Sequence, residues 1–193
     1  MTIAEAQILL APDLTHRFTR AEYQRMAKLG LFDDKRVELL DGRILDMVPQ
    51  DESHVNVVTN LSEFLRDNLK DYRVRCQGPV SPDEYSEPEP DFAVTPRPTK
   101  VRKDHPSTAI LVIEVSNTSL ARDRAKSAIY AAAGVKEYWI VNLRARTIEQ
   151  YTKPQAAPEP RYARRQVHKE SGAVECTVLQ LPPLAVKECL RWV

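Results

Sequence analysis

Ala109-Ile-Leu-Val-Ile-Glu-Val115 is the stretch of sequence that decides the fold. A short, almost unbroken apolar run of this kind predicts a β-strand that is covered on both faces, in the middle of a sheet. Glu114 interrupts the run near its end, where an ionised carboxylate is costly unless a cation or a metal ion pairs with it. Glu114 is therefore part of a functional site, half of a buried ion pair, or at a strand end that water already reaches.

Helices and strands are predicted on both sides of this run. Downstream, residues 122–133 form an alanine-rich segment that ends at Gly134, as a helix with a C-terminal glycine does. A hairpin of residues 136–143 and 147–151 follows. Upstream, the apolar stripe of residues 53–70 predicts a helix that packs on the sheet, and further strands are predicted at 72–77 and 91–94.

The two ends of the chain add smaller elements. Near the start, Thr19 and Glu22 have the spacing of a capping box, which predicts a helix that Gly30 ends. Asp41-Gly42 joins two apolar runs and favours a type I′ hairpin turn. Strands are predicted at 162–169 and 174–181 in the C-terminal tail. The fold class is α/β (α+β), with a central mixed sheet flanked by helices, and residues 1–193 are expected to form one domain.

A second carboxylate precedes another strand. Asp91 follows Pro90 and leads directly into the apolar segment Phe92-Ala-Val94. Two carboxylates held side by side by neighbouring strands repel each other, and a divalent cation that prefers oxygen ligands relieves this repulsion. The alternative is a simple turn, because Pro-Asp is common in turns.

Lys126 is the third candidate, 12 positions after Glu114 in the predicted helix. If that helix buries Ala121, Ala125, Ile129 and Ala132, the long lysine side chain lies at the border of the apolar stripe and can bend towards Glu114. Arg122 and Tyr130 align with it on the same side of the helix. The alternative is an ordinary solvated lysine.

These segments together resemble a known family. The resemblance is carried by Glu-Pro-Glu-Pro-Asp-Phe-Ala-Val (87–94), Leu-Val-Ile-Glu-Val-Ser (111–116), Asp-Arg-Ala-Lys (123–126), Tyr-Ala-Ala-Ala-Gly-Val-Lys-Glu-Tyr-Trp-Ile-Val-Asn (130–142), Val-Glu-Leu-Leu-Asp-Gly (37–42) and His54. In this order the motifs are similar to the putative restriction endonuclease-like family of bacterial proteins, a branch of the PD-(D/E)XK nuclease superfamily. The resemblance covers about residues 18–151, and residues 152–193 form a C-terminal tail.

The resemblance implies a restriction endonuclease-like fold and a metal site. Asp91 and Glu114 would bind Mg²⁺ or Mn²⁺, with a lysine near the attacking water. The main-chain carbonyl of Val115 is a further candidate ligand, because it lies just beyond Glu114 at the strand end. Where the superfamily usually has this lysine, the chain has Ser116. Either Lys126 takes over the lysine's role from the following helix, or the site has lost its activity. Glu38 matches a family glutamate that completes the acidic site, although it is also explained as a residue at the hairpin rim.

The resulting prediction is a Mg²⁺-dependent endonuclease that hydrolyses phosphodiester bonds of DNA. The alternatives are a catalytically inactive nucleic-acid-binding or protein-binding module on the same fold, and an RNA nuclease. Two basic clusters are candidates for contact with the nucleic-acid backbone or are ordinary solvated loops: Arg97, Lys100, Arg102 and Lys103, and Arg161, Arg164, Arg165 and Lys169. His54 and Gln77 are weaker candidates for supporting roles.

Composition limits the remaining choices. The 193 residues carry a net charge of +1, so no broad basic field captures nucleic acid and any contact must come from local clusters. No apolar run is long enough to span a membrane, and Glu5 without a preceding basic residue is unlike a secretory leader. With three widely spaced cysteines, we expect a cytoplasmic protein. A homodimer that pairs through the tail after Tyr151 is a further expectation from the resemblance.

Overall fold

The computed structural model describes residues 15–100 and 103–193. The predicted absence of a leader at the N-terminus and the basic residue Arg102 fall outside the described residues. The helices are α1 (Arg20–Lys28), α2 (Glu52–Asn68), α3 (Leu120–Ala132) and α4 (Val186–Cys189). The strands are β1 (Val37–Leu40), β2 (Arg43–Asp46), β3 (Tyr72–Cys76), β4 (Phe92–Pro96), β5 (Leu111–Ser116), β6 (Glu137–Asn142), β7 (Thr147–Gln155), β8 (Arg161–Lys169), β9 (Ala173–Val174) and β10 (Leu184–Ala185).

Strands β3 to β8 form a six-stranded mixed sheet in the order of the chain. Neighbouring strands are antiparallel except β5 and β6, which are parallel. A parallel pair needs a crossover connection, and α3 supplies it. All six residues of β5 are buried, which confirms the prediction of a central strand covered on both faces.

A helix covers each face of the sheet. On one face, Val57, Leu61 and Leu65 of α2 pack with apolar residues such as Phe92 and Ile113. On the other face, α3 packs through Tyr130 and Ala131 on side chains that include Ala93, Val112 and Ile140. The predicted fold class, a central mixed sheet flanked by helices, is therefore confirmed. In the described part of the chain, no helix is both long enough and apolar enough to cross a membrane.

Two local predictions from the sequence are confirmed at the N-terminal side. The Thr19 hydroxyl accepts a hydrogen bond from the Glu22 main-chain N–H, and the Glu22 carboxylate accepts one from the Thr19 N–H, so α1 begins with a capping box. Asp41 and Gly42 have φ angles of 50° and 75°, the positive values that a type I′ turn requires. The resulting β1–β2 hairpin holds Glu38 in its first strand.

The predicted buried face of α3 is wrong. Ala121, Ala125 and Ala132 are exposed and Ile129 is only partly buried. The helix instead buries Asp123, Lys126, Tyr130 and Ala131. Its inner face is mostly polar because it supplies partners to a carboxylate on β5, so the apolar residues do not mark the side that packs on the sheet.

The predicted strand at 174–181 is also wrong. Only Ala173–Val174 is a strand, and it pairs with Leu184–Ala185 rather than continuing the central sheet. The main-chain N–H and the hydroxyl of Thr177 both donate to the Glu137 carboxylate, at 2.8 and 2.5 Å. Because a buried side chain takes these hydrogen bonds, the segment does not form a strand ladder.

Candidate active site

The antiparallel pairing of β4 and β5 brings the two predicted metal ligands together. Phe92 is paired with Ile113, so Asp91, just before β4, lies beside the end of β5 where Glu114 and Val115 are found. The Val115 N–H donates a hydrogen bond of 2.8 Å to Asp91 Oδ2. Strand register, rather than nearness in sequence, therefore places Asp91 next to the carboxylate-bearing end of β5.

Lys126 connects the acidic residues. Its Nζ lies 3.0 Å from Glu114 Oε1, 2.9 Å from Glu38 Oε2 and 3.8 Å from Asp123 Oδ1. Only 4% of the Lys126 surface is exposed, so the ammonium is inside the cluster and not at the border that the sequence predicted. The Tyr130 hydroxyl donates a second hydrogen bond of 3.0 Å to Glu114 Oε1.

The electrostatics of the cluster keep the lysine charged. Burial alone would lower the pKa of Lys126, but the charges of Glu114, Glu38 and Asp123 outweigh burial and raise this pKa above its usual value. Burial raises the pKa of Glu114 to about 8, with Lys126 opposing the rise and the neighbouring carboxylates adding to it. Burial likewise raises the pKa of Asp123. The acids outnumber the buried ammonium, so the cluster favours a further cation.

Glu38 lies in this cluster and not at the hairpin rim. Only 2% of its surface is exposed, and its Oε2 accepts a long hydrogen bond of 3.4 Å from the Glu89 N–H in addition to the Lys126 contact. Arg122 lies 3.9 Å from the other carboxylate oxygen. Glu38 therefore pairs with the lysine ammonium in addition to Glu114.

The two weaker candidates from the sequence both contact Asp91. His54, in the first turn of α2, is buried and places its Nε2 3.2 Å from Asp91 Oδ2. Gln77 Nε2 donates to Asp91 Oδ1 over 3.4 Å. The His54 Nδ1 atom is buried and has no hydrogen-bond partner among the described residues. With the Val115 N–H, these contacts fix the direction of the Asp91 carboxylate.

A cavity of about 180 Å³ opens onto these groups. Its walls include Glu38, Asp91, Glu114, Val115, His54, Asp123 and Lys126, together with residues 47–51 and 117–119. Asn117 Nδ2 donates to Asp51 Oδ2, so the start of α2 is tied to the loop after β5 at the cavity rim. Ser116 is buried at the end of β5, and its hydroxyl lies 3.4 Å from that of Ser119.

Comparison with known proteins agrees with the geometry. The model of the Uma2 family, described as putative restriction endonucleases, matches residues 20–185. The chain belongs to the Uma2 family. This confirms the resemblance predicted from the motifs.

One solved structure has the same fold, and a second is reported for its partial similarity. A crystal structure of a putative nuclease from Anabaena variabilis has a TM-score of 0.63 and 14% identity, covering 82% of this Uma2 chain and 92% of its own. The type IIG restriction endonuclease BpuSI has a TM-score of 0.43 and 18% identity, covering 76% of this chain and 16% of its own. A search of curated proteins finds no significant match.

The oxygen atoms at the cavity suit a hard divalent cation. Asp91, Glu114 and Val115 all line the cavity, and carboxylate and main-chain carbonyl oxygens are the ligands that Mg²⁺ and Mn²⁺ prefer. Within residues 15–100 and 103–193, no three His, Cys, Asp or Glu side chains are already grouped as a metal site. The Asp91 and Glu114 carboxylates are therefore candidate donors for such a cation, with the Val115 carbonyl as a third candidate.

Two members of the cluster received no role from sequence reasoning. Asp123 is buried, accepts a hydrogen bond of 2.5 Å from the Ser119 hydroxyl and lies near Lys126. Tyr130 was noted only for its alignment with Lys126. The signal was the spacing of residues 123, 126 and 130, which lie on one side of a helix. The alanines of α3 instead predicted that the opposite side of the helix is buried.

Proposed function

We propose that this Uma2 protein is a metal-dependent nuclease that hydrolyses phosphodiester bonds of DNA. Mg²⁺ or Mn²⁺ would be held by Asp91, Glu114 and the Val115 carbonyl, with Lys126 and Glu38 completing the catalytic group. One observation carries the proposal: the carboxylates of two adjacent strand ends and a buried, charged lysine line the same cavity. Membership of a nuclease-like family agrees with it.

Different residues of the cavity have different roles in the proposed reaction. When bound, the cation neutralises charge on the phosphodiester and lowers the pKa of an attacking water. Lys126 holds the attacking water or a phosphate oxygen through its ammonium, which stays protonated at neutral pH. Glu38 and Glu114 fix the position of that ammonium from two sides, and Tyr130 fixes Glu114. Preorganised charge of this kind acts without rearrangement during the reaction.

Cleavage and metal binding test the proposal directly. Purified protein is expected to cut DNA in the presence of Mg²⁺ or Mn²⁺, and Asp91→Asn and Glu114→Gln are expected to abolish cutting. Asp67→Asn and Glu63→Gln are matched controls, because both residues are exposed on α2 and away from the cavity. Calorimetric titration with Mn²⁺ should show binding by the parent and the controls, and none by the cavity variants. Cutting by Asp91→Asn at the parental rate would contradict the proposal.

A non-catalytic binding module on the same fold is the second candidate function. The ion pairs of Lys126 favour it. The lysine ammonium already neutralises Glu38 and Glu114, and Glu114 is a carboxylate that a catalyst would use to bind a metal ion. The absence of a ready group of three metal-binding side chains in the described residues points the same way. Failure of Mn²⁺ to bind would favour this candidate. An RNA nuclease is tested by digesting labelled RNA and DNA of the same sequence side by side.

We propose further that the chain is a single cytoplasmic domain that forms a homodimer through the segment after Tyr151. Three free thiols, at Cys76, Cys176 and Cys189, suit a reducing compartment. Apolar side chains exposed in the tail, including Val167 and Trp192, offer contact area. Light scattering coupled to size-exclusion chromatography measures the mass, and a monomer at every concentration would contradict the dimer.

A further inference from the structure

A second cavity lies beside the edge strand β3, outside the acidic cavity. Tyr72 and Val74 pack against the core, so the alternation of a strand turns Arg73 and Arg75 to the opposite face. There they line a cavity of about 340 Å³, called here the β3 pocket, whose other lining residues are Thr95, Pro98, Lys103, Asp104, His105 and Pro106. The segment before β5 therefore adds a lysine and a histidine to two strand arginines.

The β3 pocket has three basic side chains against one carboxylate and is partly preorganised. Arg75 is half-buried, and its guanidinium donates to the Pro79 carbonyl at 3.2 Å and lies 3.4 Å from His105 Nδ1. Holding a guanidinium in place reduces the entropy lost when it binds a ligand. Arg73 and Lys103 are exposed, and neither forms an ion pair with another described residue. Asp104 is the one carboxylate among the lining residues.

The arginine-rich surface of β8 differs from the β3 pocket, because its arginines form ion pairs with carboxylates. On β8, Arg161 lies 3.6 Å from Glu159, and Arg165 lies 3.0 Å from Glu149, so carboxylates already offset part of its charge. Arg97, from the first basic cluster of the sequence, donates instead to the Lys70 carbonyl. With a net charge of only +1 for the whole chain, the β3 pocket is a local concentration of positive charge and not part of a general field.

The pocket stands at a defined place relative to the candidate active site. Arg75 pairs with Ala93 and Arg73 with Thr95, so they lie two and four positions along β4 from Asp91. At the rise of a β-strand these steps correspond to roughly 7 and 14 Å. The cavity at Asp91 is rich in carboxylates that repel phosphate. A polyanionic substrate therefore needs positive charge close to, but outside, the acidic cavity.

We infer that the β3 pocket binds the phosphodiester backbone of the nucleic acid, through Arg73, Arg75 and Lys103. This inference rests on the proposed nuclease function, because it names the surface that holds that substrate. The contacts are to phosphate groups, so the pocket contributes affinity without sequence preference. It adds the strand residues Arg73 and Arg75, which neither basic cluster of the sequence contained.

The test measures DNA binding without cleavage. Fluorescence anisotropy of a fluorescein-labelled duplex is followed in EDTA at several salt concentrations. The double variant Arg73→Gln/Lys103→Gln is expected to bind about 10-fold or more weakly, with the slope of log affinity against log salt reduced by about 2. Arg161→Gln/Arg164→Gln on β8 removes the same charge and is expected to change the affinity less than about 2-fold. Melting curves of both double variants check that they are folded.

The outcomes separate this inference from the proposed function. If the parent binds no duplex, if the β3-pocket variant binds like the parent, or if the β8 variant is weakened equally, the inference is wrong. Equal competition by polyglutamate and by unlabelled DNA would also overturn it, because the pocket would then accept any acidic polymer. If the protein cuts no nucleic acid with Mn²⁺ but loses binding only in the β3-pocket variant, the proposed function fails and the inference is supported.

Discussion

The ammonium of Lys126 lies within 3.0 Å of two carboxylates on different strands while almost none of the residue is exposed. Removing one partner of a buried ion pair leaves the other charges without compensation. Lys126→Met keeps most of the side-chain volume and removes the charge together with the hydrogen bonds that the ammonium donates. We expect it to lower the free energy of unfolding at pH 8 by about 3 kcal/mol, measured in urea, and to abolish cleavage.

Lys136→Met is the matched control for this change, since Lys136 is exposed and lies next to the sheet rather than in the cavity. Its free energy of unfolding is expected to stay within about 0.5 kcal/mol of the parent. Parental stability of Lys126→Met would show that the lysine does not compensate the buried acids.

His54 supports Asp91 in the same cluster, through the contact between its Nε2 and Asp91 Oδ2. Partners that orient a metal ligand typically change metal affinity about 10-fold to 100-fold when they are lost. We expect His54→Leu to weaken Mn²⁺ binding by this factor in calorimetry, and His54→Gln, which keeps a hydrogen-bond donor, to weaken it less. His168→Leu on β8 serves as the control. Equal Mn²⁺ affinities for the parent and His54→Leu would show that His54 does not support metal binding.

The buried carboxylate of Glu137 attaches the C-terminal tail to the sheet. Glu137 has no exposed surface and accepts hydrogen bonds from Trp139 Nε1 at 2.6 Å, Gln150 Nε2 at 2.7 Å and Thr177. Glu137→Gln brings an amide N–H among these donors, and an unsatisfied buried group costs about 1–3 kcal/mol. We expect that loss in denaturant unfolding, together with faster proteolysis between β9 and β10.

Glu175→Gln is the comparison for the Glu137 change, because Glu175 is exposed in the same tail segment. Unchanged proteolysis of Glu137→Gln would mean that the tail is held by its apolar contacts alone.

The β7–β8 hairpin contains Glu149, a carboxylate whose pKa is lowered, whereas the pKa of Glu114 is raised. Burial would raise the pKa of Glu149, but hydrogen bonds from Arg124 and Tyr151 and the charge of Arg165 outweigh it and lower the pKa below its ordinary value of 4.5. A carboxyl with a lowered pKa stabilises the fold above the unfolded-state value, and this contribution is lost as pH falls through the folded-state value.

We therefore expect the free energy of unfolding to drop as pH falls below about 4.5, and Glu149→Gln to reduce this drop. Urea unfolding between pH 3 and pH 7 measures it. Glu159→Gln, at a highly exposed position beside Arg161, should keep the parental pH profile. An equally steep profile for Glu149→Gln would contradict the assignment.

Elements could be predicted where one physical signal dominates. The apolar run at β5, the stripe of α2 and the Asp41-Gly42 turn each depend on local chemistry, and all three are confirmed. The inner face of α3 could not be found by counting apolar residues, because its partners are carboxylates on β1 and β5. In the tail, the strand predicted at 162–169 is confirmed as β8, but the segment after it could not be predicted, since Thr177 donates its hydrogen bonds to Glu137, far away in the sequence.

The same limit applies to the candidate site. Asp91, Glu114, Lys126 and Glu38 were all named from the sequence, and the structure brings them to one cavity. The depth of Lys126 and the inclusion of Asp123 depend on how α3 rotates on the sheet, which the sequence alone did not indicate. The β3 pocket joins two strand residues with a later loop, a proximity that only the tertiary fold creates.

Binding of a metal ion to the folded protein is expected to raise its free energy of unfolding. A ligand that binds only the folded state at 100 times its dissociation constant raises the free energy of unfolding by about 2.7 kcal/mol. We expect this increase on adding Mn²⁺ at that ratio, its reversal by EDTA, and its absence in Asp91→Asn. Asp67→Asn should respond like the parent. Stabilisation of Asp91→Asn by the same amount would place the ion elsewhere.

The lysine of this site comes from α3 and not from the strand that carries Glu114. In the proposed site, the group that would contact water or phosphate therefore lies on a different element from the carboxylates that would bind metal. A genome search that requires the lysine and the glutamate on one strand would therefore miss proteins with this arrangement.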